Sequence, residues 1–188
     1  ARLSTMYATN ASGNFFLPEP DDEVVVGFMN EDPGHPIILG GVYGERHKPP
    51  YEYEAKNNMK AIVTREKMRI EFNEEKKVIT ISTPGKNTVE ISDGDKHIKL
   101  TDQNKNEIVM NSSGISLSSA KDITLKAKGA ITMDATSKFS ATAKQDVSLE
   151  GLNVNMQAKV SAVVKGNAKA ELSASGQTIV KGAMVMIN

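Results

Sequence analysis

From Ile123 onward the chain repeats one short event. An apolar pair at positions i and i+2 returns every eight residues: Ile123/Leu125, Ile131/Met133, Phe139/Ala141 and Val147/Leu149. One residue is then lost, and the period resumes at Val154/Met156, Ala162/Val164, Ala170/Leu172 and Thr178/Val180. Upstream, pairs at Ile70/Phe72, Ile79/Ile81, Val89/Ile91, Ile98/Leu100 and Ile108/Met110 recur at a spacing of nine or ten, and Ile115/Leu117 opens the eight-residue run. An inward period of two excludes helix and dictates short strands. A period this regular over most of a chain means a repeat architecture.

The third inward slot, i+4, is always small: Ala127, Ala135, Ala143, Gly151, Ala158, Gly166, Ala174 and Gly182. Thr124, Thr132, Ser140, Ser148 and Asn155 alternate outward, as a solvated strand face requires. A strand of about five residues spans about 17 Å before it must turn. The corners "KAKGA", "DATSK" and "AKQD" lack the Asn-Gly or Asp-Gly signals of tight hairpins, with "SDGD" at Ser92–Asp95 the main exception. The expectation is therefore a chain that bends at each corner and keeps winding the same way. One chain winding alone is possible, as in small left-handed β-helices, but those usually show a six-residue period, and the interior here would be thin: hydrophobic residues are 39% of the chain, aromatics only 5%, and there is no Trp. Three identical chains winding about one axis would cover every strand edge and would fit backbone approach at the small slot. At about 4.8 Å per strand the fourteen pairs would build a rod of roughly 65 Å. The shift to shorter spacing and smaller residues is expected to narrow it toward the C-terminus.

The rest of the chain divides into two shorter zones. Residues 1–44 carry "DEVVVGFMN", the turn "EDPGHP" and "IILGGVYG", which read as a β-hairpin within a small barrel. Residues 45–61, with Pro49-Pro50 and no periodicity, read as a linker. Residues 62–188 are the repeat zone. There is no cysteine, hence no disulfide framework. No apolar run is long enough for a membrane-spanning helix. No signal peptide is recognised at "ARLSTMYA", a start that looks cut from something longer. Net charge is zero, and the nine lysines after residue 119 are scattered without arginine or interleaved aromatics; they read as a solvated face, not a nucleic-acid footprint.

The segment "FFLPEPDDEVVVGFMNEDPGHPIILGGVYG", a Pro-rich linker and octad β repeats together resemble VgrG, the valine-glycine-repeat spike proteins of type VI secretion systems. They are equally similar to the central spikes of contractile phage tails and extracellular injection systems. The residues that carry the resemblance are Pro18, Glu19, Asp22, Glu23, Val24, Gly27, Phe28, Asn30, Asp32, Pro33, Pro36, Leu39 and Gly40. The family's own Val-x-Gly motif survives only at Val164-x-Gly166 and Val180-x-Gly182. The resemblance implies an all-β chain: the end of an OB-like barrel followed by an intertwined homotrimeric triple-stranded β-helix. It also implies tube and baseplate partners on the N-terminal side, a PAAR-repeat tip protein at the other end, effectors as cargo and a target membrane met in passing. Assembly in a bacterial cytoplasm followed by translocation to the exterior is implied as well.

No catalytic constellation emerges from the residues, so a non-enzymatic part without metal or cofactor is expected. His35 lies in a turn, His47 in the linker and His97 on an outward strand position; plain surface histidines are the favoured reading. Some phage spikes hold iron through histidines near the tip, and no histidine follows His97 here. "EPDDE" (Glu19–Glu23) reads as a turn with capping acids more readily than as a calcium site. The chain closes on Met184, Val185, Met186, Ile187 and Asn188. Two readings fit that end: a hydrophobic plug, or a docking platform for a tip protein. The rival function is a trimeric tail fibre or adhesin that binds carbohydrate, but the octads hold one aromatic, Phe139, and it points inward. A β-helical polysaccharide-degrading enzyme would need paired outward carboxylates, which Asp134, Asp146 and Glu150 do not supply.

Overall fold

The structure, a computed structural model, describes residues 1–187. It is all-β apart from one short 3-10 turn, Met29–Glu31, and it falls into two units, Ala1–Lys126 and Ala127–Asn188.

The first unit opens with a three-stranded sheet. β1 (Arg2–Leu3) lies parallel to β5 (Pro36–Gly41), which pairs antiparallel with β4 (Val24–Phe28). A two-rung hairpin of β2 (Ala8–Thr9) and β3 (Ser12–Gly13) stands beside them. The expected hairpin from "VVVGF" to "PIILGG" is therefore present, with a bulge at Leu39 opposite Val25 and Val26. Its loop is held by Asp32, whose carboxylate accepts the Gly34 N–H and contacts the His35 ring, both at 2.8 Å. Those hydrogen bonds, the Gly34 amide first, hold the Asp32 carboxyl below its ordinary value. "EPDDE" is a turn as read: Asp22 Oδ2 accepts the Glu19 N–H at 2.8 Å.

The larger part of this unit is one seven-stranded sheet. Its strands are β6 (Met59–Val63), β7 (Arg69–Asn73), β8 (Val78–Ser82), β9 (Thr88–Ser92), β10 (His97–Thr101), β11 (Glu107–Asn111) and β12 (Gly114–Ser118). Each pairs antiparallel with its sequence neighbour, giving the order 12-11-10-9-8-7-6. Here the structure corrects the sequence reading: residues 59–118 fold up and down as a meander and do not wind. The reason lies in the turns. Lys67, Lys77, Lys86, Lys96 and Lys105 all adopt left-handed φ, between 53° and 67°, as does Gly114 at 118°. In the loops at Thr64, Thr83 and Asp102, the residue's carbonyl accepts an N–H three residues on, from Lys67, Lys86 and Lys105. A type I turn followed by a left-handed residue reverses a strand as well as Asn-Gly does; here lysine occupies the position usually given to glycine. The strand β6 also begins inside the segment read as a linker. The remainder of that segment is pinned to the sheet by Tyr51, whose hydroxyl bonds Glu71 and accepts from Arg69.

The second unit, described on its own, contains no strand ladder among its described residues. Its chain bends at 128–129, 136–137, 144–145, 152, 159–160, 167–168, 175–176 and 183–184. The bends keep the eight-residue period, including the single lost residue near 152. Each follows directly on a small slot. A Cβ added at Gly166 would strike the Lys169 carbonyl oxygen, so that corner leaves no room for a side chain, and one at Gly182 would come within 3.1 Å of the Met184 carbonyl, a tight approach.

Candidate functional site: an uncovered apolar face

Strand alternation places most large apolar residues of the seven-stranded sheet on one side, with Met59, Val63, Val78 and Val109 on the other. Pairing aligns them into two rows. One runs Ile62, Ile70, Ile81, Val89, Leu100, Ile108, Leu117. The other runs Phe72, Ile79, Ile91, Ile98, Met110, Ile115. Cross-strand pairs of this kind are the unit of sheet stabilisation, yet apart from a cleft that Asp122 and Ile123 share with Ile81, Val89, Leu100, Ile108 and Leu117, the rows stay largely uncovered. Ile98 is 38% exposed, Phe72 40% and Ile81 46%.

The opposite face is more polar and more closely engaged. In β6, β7 and β8 its residues, Met59, Ala61, Val63 and Val78 among them, are half-buried, while Ile62, Ile70, Phe72, Ile79 and Ile81 on the first face are exposed. Arg69 meets Glu71 at 3.0 Å, His97 meets Glu90 at 2.7 Å and Lys99 meets Glu107 at 2.7 Å. A solitary sheet in water would cover its apolar side first, since burial of apolar area is the main driving term. This chain does the reverse. No apolar side chain among the described residues is buried. The chain exposes 18060 Å², where a compact monomer of its mass exposes about 8,800 Å².

One edge of the sheet carries a polar lock that the sequence reading missed. Asn87 Oδ1 accepts the Gln103 N–H at 3.1 Å, tying one loop to the next. Asp102 accepts the Asn104 and Asn106 amides at 2.8 Å, and the Asn106 amide before all else holds the Asp102 carboxyl below its ordinary value. Asn106 Oδ1 then accepts from Ser119 Oγ at 2.7 Å and the Ala120 N–H at 3.3 Å, fixing the chain as it leaves β12. The available signal was the repeated Lys-Asn step, Lys86-Asn87 and Lys105-Asn106, one hairpin apart.

The residues singled out at the C-terminal end are all exposed: Met184 80%, Val185 51%, Met186 77% and Ile187 90%. Asn188 lies outside the described residues. His35 and His97 each face one carboxylate, and His47 gives its backbone carbonyl to Gly44 N–H. Among the described residues no three His, Cys, Asp or Glu side chains gather as a metal site would need.

Comparison with known proteins agrees with this geometry. Residues 1–43 match the type VI secretion system/phage-baseplate injector OB domain. Residues 78–188 match the phage baseplate V C-terminal trimerisation domain. Among curated proteins, a 54-residue segment is 37% identical to the type VI secretion system spike protein VgrG4b of Pseudomonas aeruginosa and 39% identical to VgrG1a of the same organism. That segment is 29% of this chain and 7% and 8% of those relatives, so the shared stretch is a small part of each. An uncovered apolar face, an octad tail without internal pairing, and a trimerisation-domain match over more than half of the residues lead to one conclusion: the chain belongs to the phage baseplate V and VgrG-type spike family.

Proposed function

We propose that three copies of this chain form the shaft of a spike at the head of a contractile injection machine, and that the shaft acts mechanically. The observation that carries this reading is the pair of bare apolar rows. Three sheets brought together with those rows inward enclose a dry core, and the ion-paired faces remain in water. The described tail residues, which form no strand ladder within their own chain, then find strand partners in the other two copies. The resulting shaft has hydrogen bonds running across every chain boundary, which is the source of stiffness against an axial load. Sheath contraction would drive such a part through a membrane and out of the cell that assembled it.

Met184, Val185, Met186 and Ile187 then meet in three copies at the end of the shaft. We assign them to docking of a conical PAAR-type tip protein, because an apolar methionine-rich patch adapts to a partner surface. Co-migration of the purified trimer with a PAAR-repeat protein tests this assignment. Binding is expected for the parent chain and its loss for M184D/M186D, with the trimer mass unchanged. Equal binding by that variant would overturn the docking role. Incubation with peptidoglycan or polysaccharide is expected to release no product; turnover would overturn the purely mechanical reading.

A further inference from the structure

The segment that leads into β6 has no periodicity, yet it is tied down along its length. The Gly44 N–H donates to the His47 carbonyl at 2.9 Å. Tyr51 donates its hydroxyl to Glu71 and accepts from Arg69 at 3.2 Å, both on the more polar face of the sheet. Asn57, at a left-handed φ of 48°, closes a turn onto the Glu54 carbonyl at 2.9 Å. Lys56 and Asn58 both reach Glu75, at 3.4 and 3.3 Å. Between these ties the strap leaves a cavity of about 380 Å³ beside Met59 and Ala61 of β6, a volume within the range of small-ligand and side-chain pockets. Tyr43, Tyr53, Glu52 and Glu54 line it.

Two features of this cavity serve nothing within the chain. Tyr43 is 67% and Tyr53 91% exposed, and grouped exposed apolar surface marks an interaction site. Glu52 and Glu54 join none of the ion pairs formed among the described residues, while the cations close by are already matched: Lys56 by Glu75, Lys60 by Glu74 and Arg69 by Glu71. No lysine or arginine lines the cavity, and Arg46 and Lys48 stand outside its wall. The lining is therefore aromatic and anionic, in a chain of zero net charge. We infer that this cavity receives an arginine side chain presented by an extended basic segment of a partner protein. A guanidinium stacks flat on an aromatic ring and forks onto a carboxylate, and its stem would lie along Met59. A lysine ammonium lacks the plane, and a neutral sugar would use the rings but not the charge. With the apolar rows turned inward the strap stays in water, so the shaft would carry three such cavities at its first strand, a placement that rests on the trimer proposed above.

Fluorescence anisotropy with the full chain tests this, the native mass of each variant being checked alongside. The probe is a labelled glycine-serine peptide with arginine at alternate positions, and its control carries glutamine at those positions. The arginine peptide is expected to bind, with affinity falling as salt is raised, and the glutamine peptide is not. Y43A/Y53A is expected to weaken binding about ten-fold, and Y43F/Y53F, which keeps the rings, to retain it. E52Q/E54Q is expected to weaken binding and flatten its salt response. D134N/D146N removes the same charge from the tail and is expected to change nothing. No binding by a parent chain that is trimeric, equal binding of the glutamine peptide, full binding by Y43A/Y53A, or equal loss in D134N/D146N would overturn the site and leave the shaft reading standing. Saturable binding of maltohexaose in place of the arginine peptide would overturn the ligand class. A native mass other than three chains would overturn the trimer, while arginine-dependent binding by that species would still support the cavity.

Discussion

Ile98 lies in the middle of one apolar row, between Ile91 and Met110, and its replacement by aspartate separates a shared core from a lone sheet. In a single chain Ile98 is already 38% exposed, so a monomeric sheet would accept I98D at a cost of about 1 kcal/mol in strand propensity. In a trimer the same side chain is covered. Covering the exposed remainder contributes about 1–2 kcal/mol per copy at about 25 cal/mol per Å², which the variant forfeits three times over. Three carboxylates would then face one another in a dry interior, each at a penalty of several kcal/mol. The total exceeds about 10 kcal/mol per trimer, enough to abolish assembly at micromolar concentration. The control is K99A, one residue along and on the other face. It breaks the exposed Lys99–Glu107 pair, worth about 0–1 kcal/mol. Light scattering after size exclusion reads the mass, and thermal unfolding followed by circular dichroism reads the stability. Trimeric I98D with an unchanged melting temperature, or K99A as damaging as I98D, would refute the reasoning.

Other perturbations probe separate parts. The left-handed lysines hold strained backbone, so K105G is expected to gain up to about 1 kcal/mol, read by chemical denaturation of the assembled protein; a loss would show that the lysine side chain stabilises the loop more than its backbone strains it. Asp102 has a depressed carboxyl value, so its contribution is present above the ordinary carboxylate range and is lost as pH falls through the lowered value. D102A should therefore melt lower than the parent near neutrality and approach it in acid; a gap constant with pH would contradict the linkage. G166L places a side chain where a Cβ would already strike the Lys169 carbonyl; increased protease cleavage confined to residues near that corner is expected, and unchanged resistance would refute the crowding.

Much of the tail was legible because its alternation and its bends share one period. The bends at 128–129, 136–137 and 144–145 follow directly on the small slots Ala127, Ala135 and Ala143, and the dropped residue before Val154 reappears as a bend at 152. The hairpin at Val24–Gly41 was legible from its Pro/Gly turn. The meander was not, because its reversals rely on lysine in a conformation that composition assigns to glycine or asparagine. The clue was numerical. Lys67, Lys77, Lys86, Lys96 and Lys105 alternate spacings of ten and nine, the length of a strand plus a reversing loop, whereas eight suffices for a strand plus a bend. The change of period thus marks a change of architecture near Ser119. The polar lock was hidden for a different reason. Asn87 and Asn106 act across loops, and only the stacking of successive hairpins brings their side chains to the next amide.

Native mass spectrometry of the intact chain, across a dilution series, addresses the sharing of one interior most directly. The account predicts a species of three times 20.3 kDa that persists on dilution and loses its β signal only as it dissociates. A stable, well-folded species of one chain mass would contradict it.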